Sequence, residues 1–209
     1  MPVDIEFFTF TASEAFQADP VAQFAPVNEI IKRGKGDGDD VRSLHYGTVV
    51  GEPSKGYFIL AWSSVKAHEA FKSKPEYGEL AKSFGERVLT APLEVTHYTF
   101  ADVPEKVLAA PDTEIAVFKL KEGKSEADFL KPWEERLLPR LANTKGWHSS
   151  GGWGKSIEKE GHFVLLLGWE SKELHLQAMQ DKEYMTEVHS LGEYLELVHF
   201  EHTKLHKGL

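Results

Sequence analysis

Two pairs of histidines stand at matched places in this sequence. His68 and His175 each follow a tryptophan, Trp62 or Trp169, by six residues. His97 and His199 each hold the fifth place of a similar stretch, Leu93-Glu-Val-Thr-His97-Tyr and Leu195-Glu-Leu-Val-His199-Phe. Imidazole takes and gives protons near neutral pH, and aliphatic neighbours desolvate it and keep it neutral. His97 and His199, each sharing a strand face with leucine or valine, are therefore the candidate acid–base catalysts, and the phenols of Tyr77 and Tyr184 the candidate donors. Trp62 and Trp169 are placed to stack on a planar ligand, with His68 and His175 lining the same pocket. The run Gly146-Trp-His-Ser-Ser-Gly-Gly-Trp-Gly154 adds Trp147, His148 and Trp153 as a candidate pocket wall. Each residue also has a structural reading: a satisfied core histidine, a tryptophan plugging a strand–helix junction, a buried tyrosine with one hydrogen bond, a bulged edge strand.

Ten histidines invite a metal. His199 and His202, however, fall on opposite faces of an alternating strand, and no His-Glu-x-x-His helix is present. With no cysteine there is no thiolate ligand, thiolate nucleophile or disulfide. The expectation is no metal and no cofactor.

The elements that must position these residues occur twice. Trp62–Glu86 aligned with Trp169–Glu193 matches at eight of 25 positions: Trp62/Trp169, Ser64/Ser171, His68/His175, Glu76/Glu183, Tyr77/Tyr184, Ser83/Ser190, Gly85/Gly192 and Glu86/Glu193. Each half reads strand, helix, strand, strand, helix, strand. In the first half the strands are 5–11, 41–50, 56–64 and 93–101, with a hairpin around Glu52-Pro53-Ser54. A helix opens at Asp19-Pro20 and meets a kink or break at Pro26. Residues 34–40 form a loop rich in breakers, and a helix over 65–89 is interrupted at Pro75. In the second half the strands are 114–121, 147–155, 163–169 and 195–204. Ser125 with Asp128 resembles a capping box, and residues 173–194 form the second helix. The tail Thr203–Leu209 is expected to fray.

The domains are thus 1–103 and 112–209, joined by a linker over 102–112. Two βαββαβ orders imply α+β architecture, two tandem ferredoxin-like units. Strand faces carrying Phe8/Phe10, Leu60/Trp62, Leu165/Leu167 and Val95/His97 alternate with neighbours that are also apolar, so both faces need cover. The other unit's sheet is assigned to cover these residues. Ala178 stands where the first half has Phe71, which predicts the larger cavity in the second half and makes His199 the first residue to mutate.

The stretch Trp62-Ser-Ser-Val-Lys-Ala-His-Glu-Ala-Phe-Lys-Ser-Lys-Pro-Glu-Tyr77 resembles the dimeric α/β-barrel superfamily, nearest its stress-responsive A/B-barrel and antibiotic-biosynthesis-monooxygenase-like branches. The resemblance implies two ferredoxin-like units packed sheet to sheet as a pseudo-dimeric barrel, supplied here by one chain. It covers both halves in element order and this turn and helix in residues. The superfamily includes cyclases, cofactor-free monooxygenases, isomerases and haem enzymes. The Tyr/His pair of its plant cyclases is replaced by Phe71 and Tyr77, and by Ala178 and Tyr184.

Net charge is −9 with no basic stripe, which argues against nucleic acid and anionic membranes. No apolar run reaches membrane-spanning length, and MPVDIEFFTF does not read as a signal peptide, so a cytoplasmic protein is expected. The functional expectation is a cofactor-independent enzyme of lyase, cyclase or isomerase type. It would act on a small apolar, secondary-metabolite or lipid-derived molecule by His/Tyr acid–base chemistry. The alternatives are a non-catalytic stress-responsive small-molecule-binding protein and a haem-binding protein. A homodimer is left open.

Overall fold

The computed structural model describes residues 2–35 and 41–209. Eight strands form one closed barrel in the order β1-β3-β2-β8-β5-β7-β6-β4. In the first half β1 (Val3–Thr11), β2 (Val41–Val49), β3 (Glu52–Trp62) and β4 (Glu94–Phe100) lie in the order β4-β1-β3-β2. In the second, β5 (Asp112–Leu120), β6 (Trp147–Ser156), β7 (His162–Trp169) and β8 (Leu195–Lys207) lie as β8-β5-β7-β6, the same order. Two antiparallel seams, β2 with β8 and β4 with β6, close the barrel within one chain.

Strand alternation sorts the apolar residues into two layers. Ile5, Phe7, Tyr57, Ile59, Tyr98, Ile115, Val117, Val164 and Leu166 share the barrel core. Phe8, Phe10, Phe58, Leu60 and Trp62 face the helices instead, as do Leu165 and Leu167. This reverses the expected assignment: the residues read as packing on the opposite sheet lie under helices, and their neighbours fill the barrel. Both sets are apolar, so hydrophobicity alone does not say which face is which.

Other boundaries follow local chemistry. Helix α1 (Glu14–Ala18) leads into α2 (Pro20–Lys35), which passes through Pro26 without a break. The expected loop over 34–40 is helix at Gly34 and Lys35, and its remainder lies outside the described residues. The first hairpin turns at Val50-Gly51, where Gly51 takes φ 89°, so Glu52-Pro53-Ser54 belong to β3 rather than to the turn. The helical stretch after β3 divides into α3 (Val65–Lys72) and α4 (Pro75–Arg87), Pro75 opening the second. The linker is not a passive spacer: α5 (Glu105–Leu108) buries Val107 and Leu108 in the barrel core.

In the second half Ser125 and Asp128 form the capping box of α6 (Glu126–Pro132). A π turn over Trp133–Leu137 joins it to α7 (Leu138–Ala142). The last helical stretch divides at Asp181, which caps α9 (Lys182–Leu191) after α8 (Lys172–Ala178). The tail is not frayed: Thr203–Lys207 pair with Val49–His45 and make the β2–β8 seam. No helix among the described residues is long and apolar enough to cross a membrane.

Candidate functional site

Each half ends its third strand in tryptophan, follows with Ser as helix cap, and sets a histidine four residues later. Ser64 accepts from the Ala67 amide and Ser171 from the Leu174 amide, which fixes α3 and α8 against the strands. His68 then stacks on Trp62, 4.9 Å between ring centres, and His175 on Trp169 at 4.4 Å. Both histidines turn Nδ1 toward a buried glutamate from the half's first strand.

In the first half that glutamate is Glu6, 1% exposed. Its Oε1 lies 2.9 Å from His68 Nδ1 and 2.9 Å from His97 Nε2, and its Oε2 accepts from Trp62 Nε1 at 2.6 Å. His97 Nδ1 is paired with Glu158, which also accepts the His97 amide at 3.0 Å. Burial pushes the Glu6 carboxyl up, but the hydrogen bonds from His68, His97 and Trp62 and the His68 charge outweigh it and bring it down to about 2. The bond to Glu6 raises His97, against burial and with help from Glu158, to about 8. This cluster is an ion pair at neutral pH.

In the second half the glutamate is Glu114, opposite His202 as Glu6 is opposite His97. Trp169 Nε1 donates to Glu114 Oε2 at 2.9 Å, and His175 Nδ1 lies 3.2 Å from the same oxygen. His175 Nδ1 is also 2.8 Å from His202 Nε2, and His202 Nδ1 is bonded to Asp112. Tyr184 OH stands 3.5 Å from His175 Nε2. An ionised Asp112 only accepts, so the hydrogen-bond network assigns the protons. When His202 carries its charge, its Nδ1–H donates to Asp112 and its Nε2–H to His175 Nδ1, and His175 Nε2–H donates to the Tyr184 oxygen, which leaves the Tyr184 O–H free. Burial pushes Glu114 up to about 7, against the pull of His202 and Trp169, and Asp112 adds to the rise. Burial and then the His202 charge bring His175 down to about 3. Burial also raises the Tyr184 phenol. The same scaffold therefore holds a charged pair in one half and a carboxyl poised near neutrality in the other.

Each cluster sits at the floor of an apolar cavity between sheet and helices. The first is about 430 Å³ and includes Glu6, His68, Phe71, Tyr77 and His97. The second is about 450 Å³ and includes Glu114, His175, Met179, Tyr184, Met185 and Phe200. The expected size difference is absent. Phe71 lines the first cavity, whereas Met179 and Met185 line the second.

The structure brings together His68, His97, Trp62 and Tyr77, and separately His175, Trp169 and Tyr184. Tyr77 is 40% exposed at the rim of its cavity, whereas Tyr184 is 3% exposed. His199 is not part of either cluster. It is exposed and faces an open groove with Thr9, Lys55 and Glu94. His199 leaves the face that holds Leu195 and Leu197 because a bulge leaves Val198 without a partner between Leu197 and His199. The spacing is 107 residues from Trp62 to Trp169 and 105 from His97 to His202, so the second half is two residues shorter there, not five. Trp147, Trp153 and His148 also stand outside both cavities. Trp147 packs edge-on against Trp169, Trp153 packs on Phe129 and Phe163, and His148 is exposed. The glycines near them make room for protein rings: a Cβ on Gly154 would meet Phe100 at 2.4 Å, and one on Gly151 would meet Trp133 at 2.9 Å.

Sequence reasoning missed Glu6, Glu114, Asp112, His202 and Glu158. One signal was present: both first strands open on Asp-x-Glu, Asp4-Ile-Glu6 and Asp112-Thr-Glu114, acidic side chains inside otherwise apolar strands. The helical histidines of the haem alternative are not exposed: His68 and His175 are buried and stacked on indole, His68 turning Nδ1 to Glu6 and His175 turning Nδ1 to His202.

Solved structures share this fold over nearly the whole chain. An anthrone oxidase-like protein gives a TM-score of 0.67 at 14% identity, covering 99% of this chain and 93% of its own. A proposed monooxygenase from Fusobacterium nucleatum gives 0.63 at 10% identity, over 100% and 93%. A proposed chlorite dismutase gives 0.61 at 9%, over 98% and 96%. No protein-family model and no curated protein matches the sequence. At these identities the likeness establishes the dimeric α/β-barrel fold, and the chemistry rests on this chain's own residues.

Proposed function

We propose that this protein is a small-molecule enzyme that removes a proton from an apolar, ring-containing carbon acid in its second half. The observation that carries the reading is Glu114: a buried carboxyl held near pKa 7 at the floor of an apolar cavity of about 450 Å³. A base works best when its pKa lies near the working pH, because it is then both available and strong enough. Tyr184 faces the same cavity, and its phenol keeps its proton. It is the donor for the oxygen that gains charge as the proton leaves. His175, His202 and Asp112 form the line of hydrogen bonds that orients it. His175 is too weak a base at about 3 to compete with Glu114 for the substrate proton.

Deprotonation beside a carbonyl gives an enolate, the intermediate common to isomerisation, cyclisation and elimination. It is also the electron-rich form that dioxygen attacks, and the neighbours named as monooxygenase and anthrone oxidase-like favour that fate. The same reading takes residues 1–103 and 112–209 as tandem copies of one ferredoxin-like unit, supported by the shared strand order and the paired clusters. One chain closes the barrel, so a homodimer is not needed to complete either cavity.

Anthrone is a suitable probe, being a fused-ring carbon acid. In deuterated buffer the protein should speed hydrogen exchange at the acidic carbon, read by NMR, with oxygen uptake recorded in parallel. Glu114→Gln should slow the exchange by roughly 10²–10⁴-fold, the usual worth of a positioned base. Exchange that the protein does not accelerate, or that survives Glu114→Gln, overturns the reading.

A further inference from the structure

The cluster in the first half has a geometry that proton transfer in the second does not use. Two imidazole nitrogens from different elements, His68 Nδ1 on α3 and His97 Nε2 on β4, converge on one carboxylate oxygen, Glu6 Oε1, each at 2.9 Å. All three donor atoms lie within 4.8 Å of one another. We propose that Glu6, His68 and His97 form a binding site for a divalent first-row transition cation.

Two imidazoles and one carboxylate are the donor set of open metal sites for zinc and iron(II). The outer contacts are those that such sites use. A ligating histidine normally gives its other ring nitrogen to a carboxylate, which fixes the tautomer and the ring's aim. His97 does this through Nδ1 with Glu158, and the second oxygen of Glu158 holds the His97 amide at 3.0 Å. The Glu6 oxygen turned away from the imidazoles takes the Trp62 indole at 2.6 Å, which leaves Oε1 for a cation. His68 is fixed by its stack on Trp62.

Charge and access agree with this. Glu6 and Glu158 together carry two negative charges, and the partners of Glu6 among the described residues are two imidazoles and an indole, with no lysine or arginine. A divalent ion would neutralise the set with both imidazoles uncharged, the form that binds metal. The cavity above provides an entry path and a face for water or ligand, and His97 is only partly buried. The corresponding trio in the second half is closed to this use: His202 Nε2 is committed to His175 Nδ1 at 2.8 Å, and all three side chains are buried.

The test is titration of the full-length protein with Co²⁺, followed by calorimetry and visible d–d absorption. One tightly bound ion per chain is expected, displaced by Zn²⁺. His68→Ala should abolish the absorption. Glu158→Gln changes a partly exposed residue outside the ligand set, so it should fold normally and weaken binding about 10–100-fold. It decides the matter even if His68→Ala does not fold. Glu114→Gln should leave cobalt binding intact while losing proton transfer, so the two proposals fail separately. No bound cobalt, or binding unchanged in Glu158→Gln, or binding unchanged in a folded His68→Ala, overturns this one.

Discussion

Glu6 and Glu114 occupy the same place in the two halves, yet burial wins at one and loses at the other. Glu6 gains stability by being charged. Its pKa falls from 4.5 to about 2, so its contribution is fully present above 4.5 and is lost as pH drops toward 2. Glu114 behaves in the opposite way. Its folded pKa is raised from 4.5 to about 7, so the folded state holds a proton that the unfolded chain has released. Stability therefore declines as pH rises from 4.5 through 7, and the charged form remains a cost above that. Two isosteric changes follow with opposite signs in melts at pH 8. Glu6→Gln should lower Tm by several degrees, since it breaks a paired buried charge. Glu114→Gln should raise Tm at pH 8 and flatten its fall between pH 5 and 8. Equal shifts of one sign for both would show that the two sites are electrostatically alike. The residues His68, His175, Trp62, Trp169, Tyr77 and Tyr184 were legible as a set because they recur at matched spacing in the sequence. The glutamates were not, because a single acidic residue in a strand looks the same whether it faces water or a histidine.

At the scale of elements, the strand that carries His202 shows where sequence patterning stops. Period-two alternation is reliable only until a bulge, and the unpaired Val198 inverts the faces of everything before it in β8. The terminal stretch TKLHK carries little apolar signal, and it orders because β2 offers a free edge from the other half, a long-range partner that no local pattern reports. That seam also requires a glycine. A Cβ on Gly47 would lie 1.8 Å from the Lys204 carbonyl oxygen, so two backbones approach where no side chain fits. Gly47→Ala should therefore cost about 1–3 kcal/mol or more by forcing the strands apart. Gly78, inside α4 with nothing within 4 Å, is the counterpart. Gly78→Ala should stabilise by roughly 0.5–1 kcal/mol through helix propensity. Urea titrations of the two variants check both signs. A neutral Gly47→Ala would mean that the β2–β8 seam is dispensable.

For the whole molecule, the question is whether two units make one folding body. Repetition of strand order was legible from the sequence, and so was the need for cover on both strand faces; which face turned inward was not. The barrel core draws Ile5, Phe7 and Tyr57 from one half and Ile115, Val164 and Leu166 from the other. Residues 1–103 alone would expose that apolar face and leave β2 and β4 as open edges, and residues 112–209 would do the same with β6 and β8. Neither fragment should give a monomer with a cooperative melt; each should self-associate. Mixed, they should pair through the two seams and recover one transition. The linker refines this expectation. Val107 and Leu108 are buried in the shared core, and Thr113 Oγ1 donates to the Val107 carbonyl at 2.9 Å, so this stretch packs as part of the barrel. A complex of 1–111 with 112–209 should therefore melt above one of 1–103 with 112–209. Light scattering coupled to size exclusion, with thermal melts of each fragment and each pair, reads all of these outcomes. Two fragments that are separately monomeric and cooperative would show that each half buries its own core, and that the seams join finished domains rather than complete one barrel.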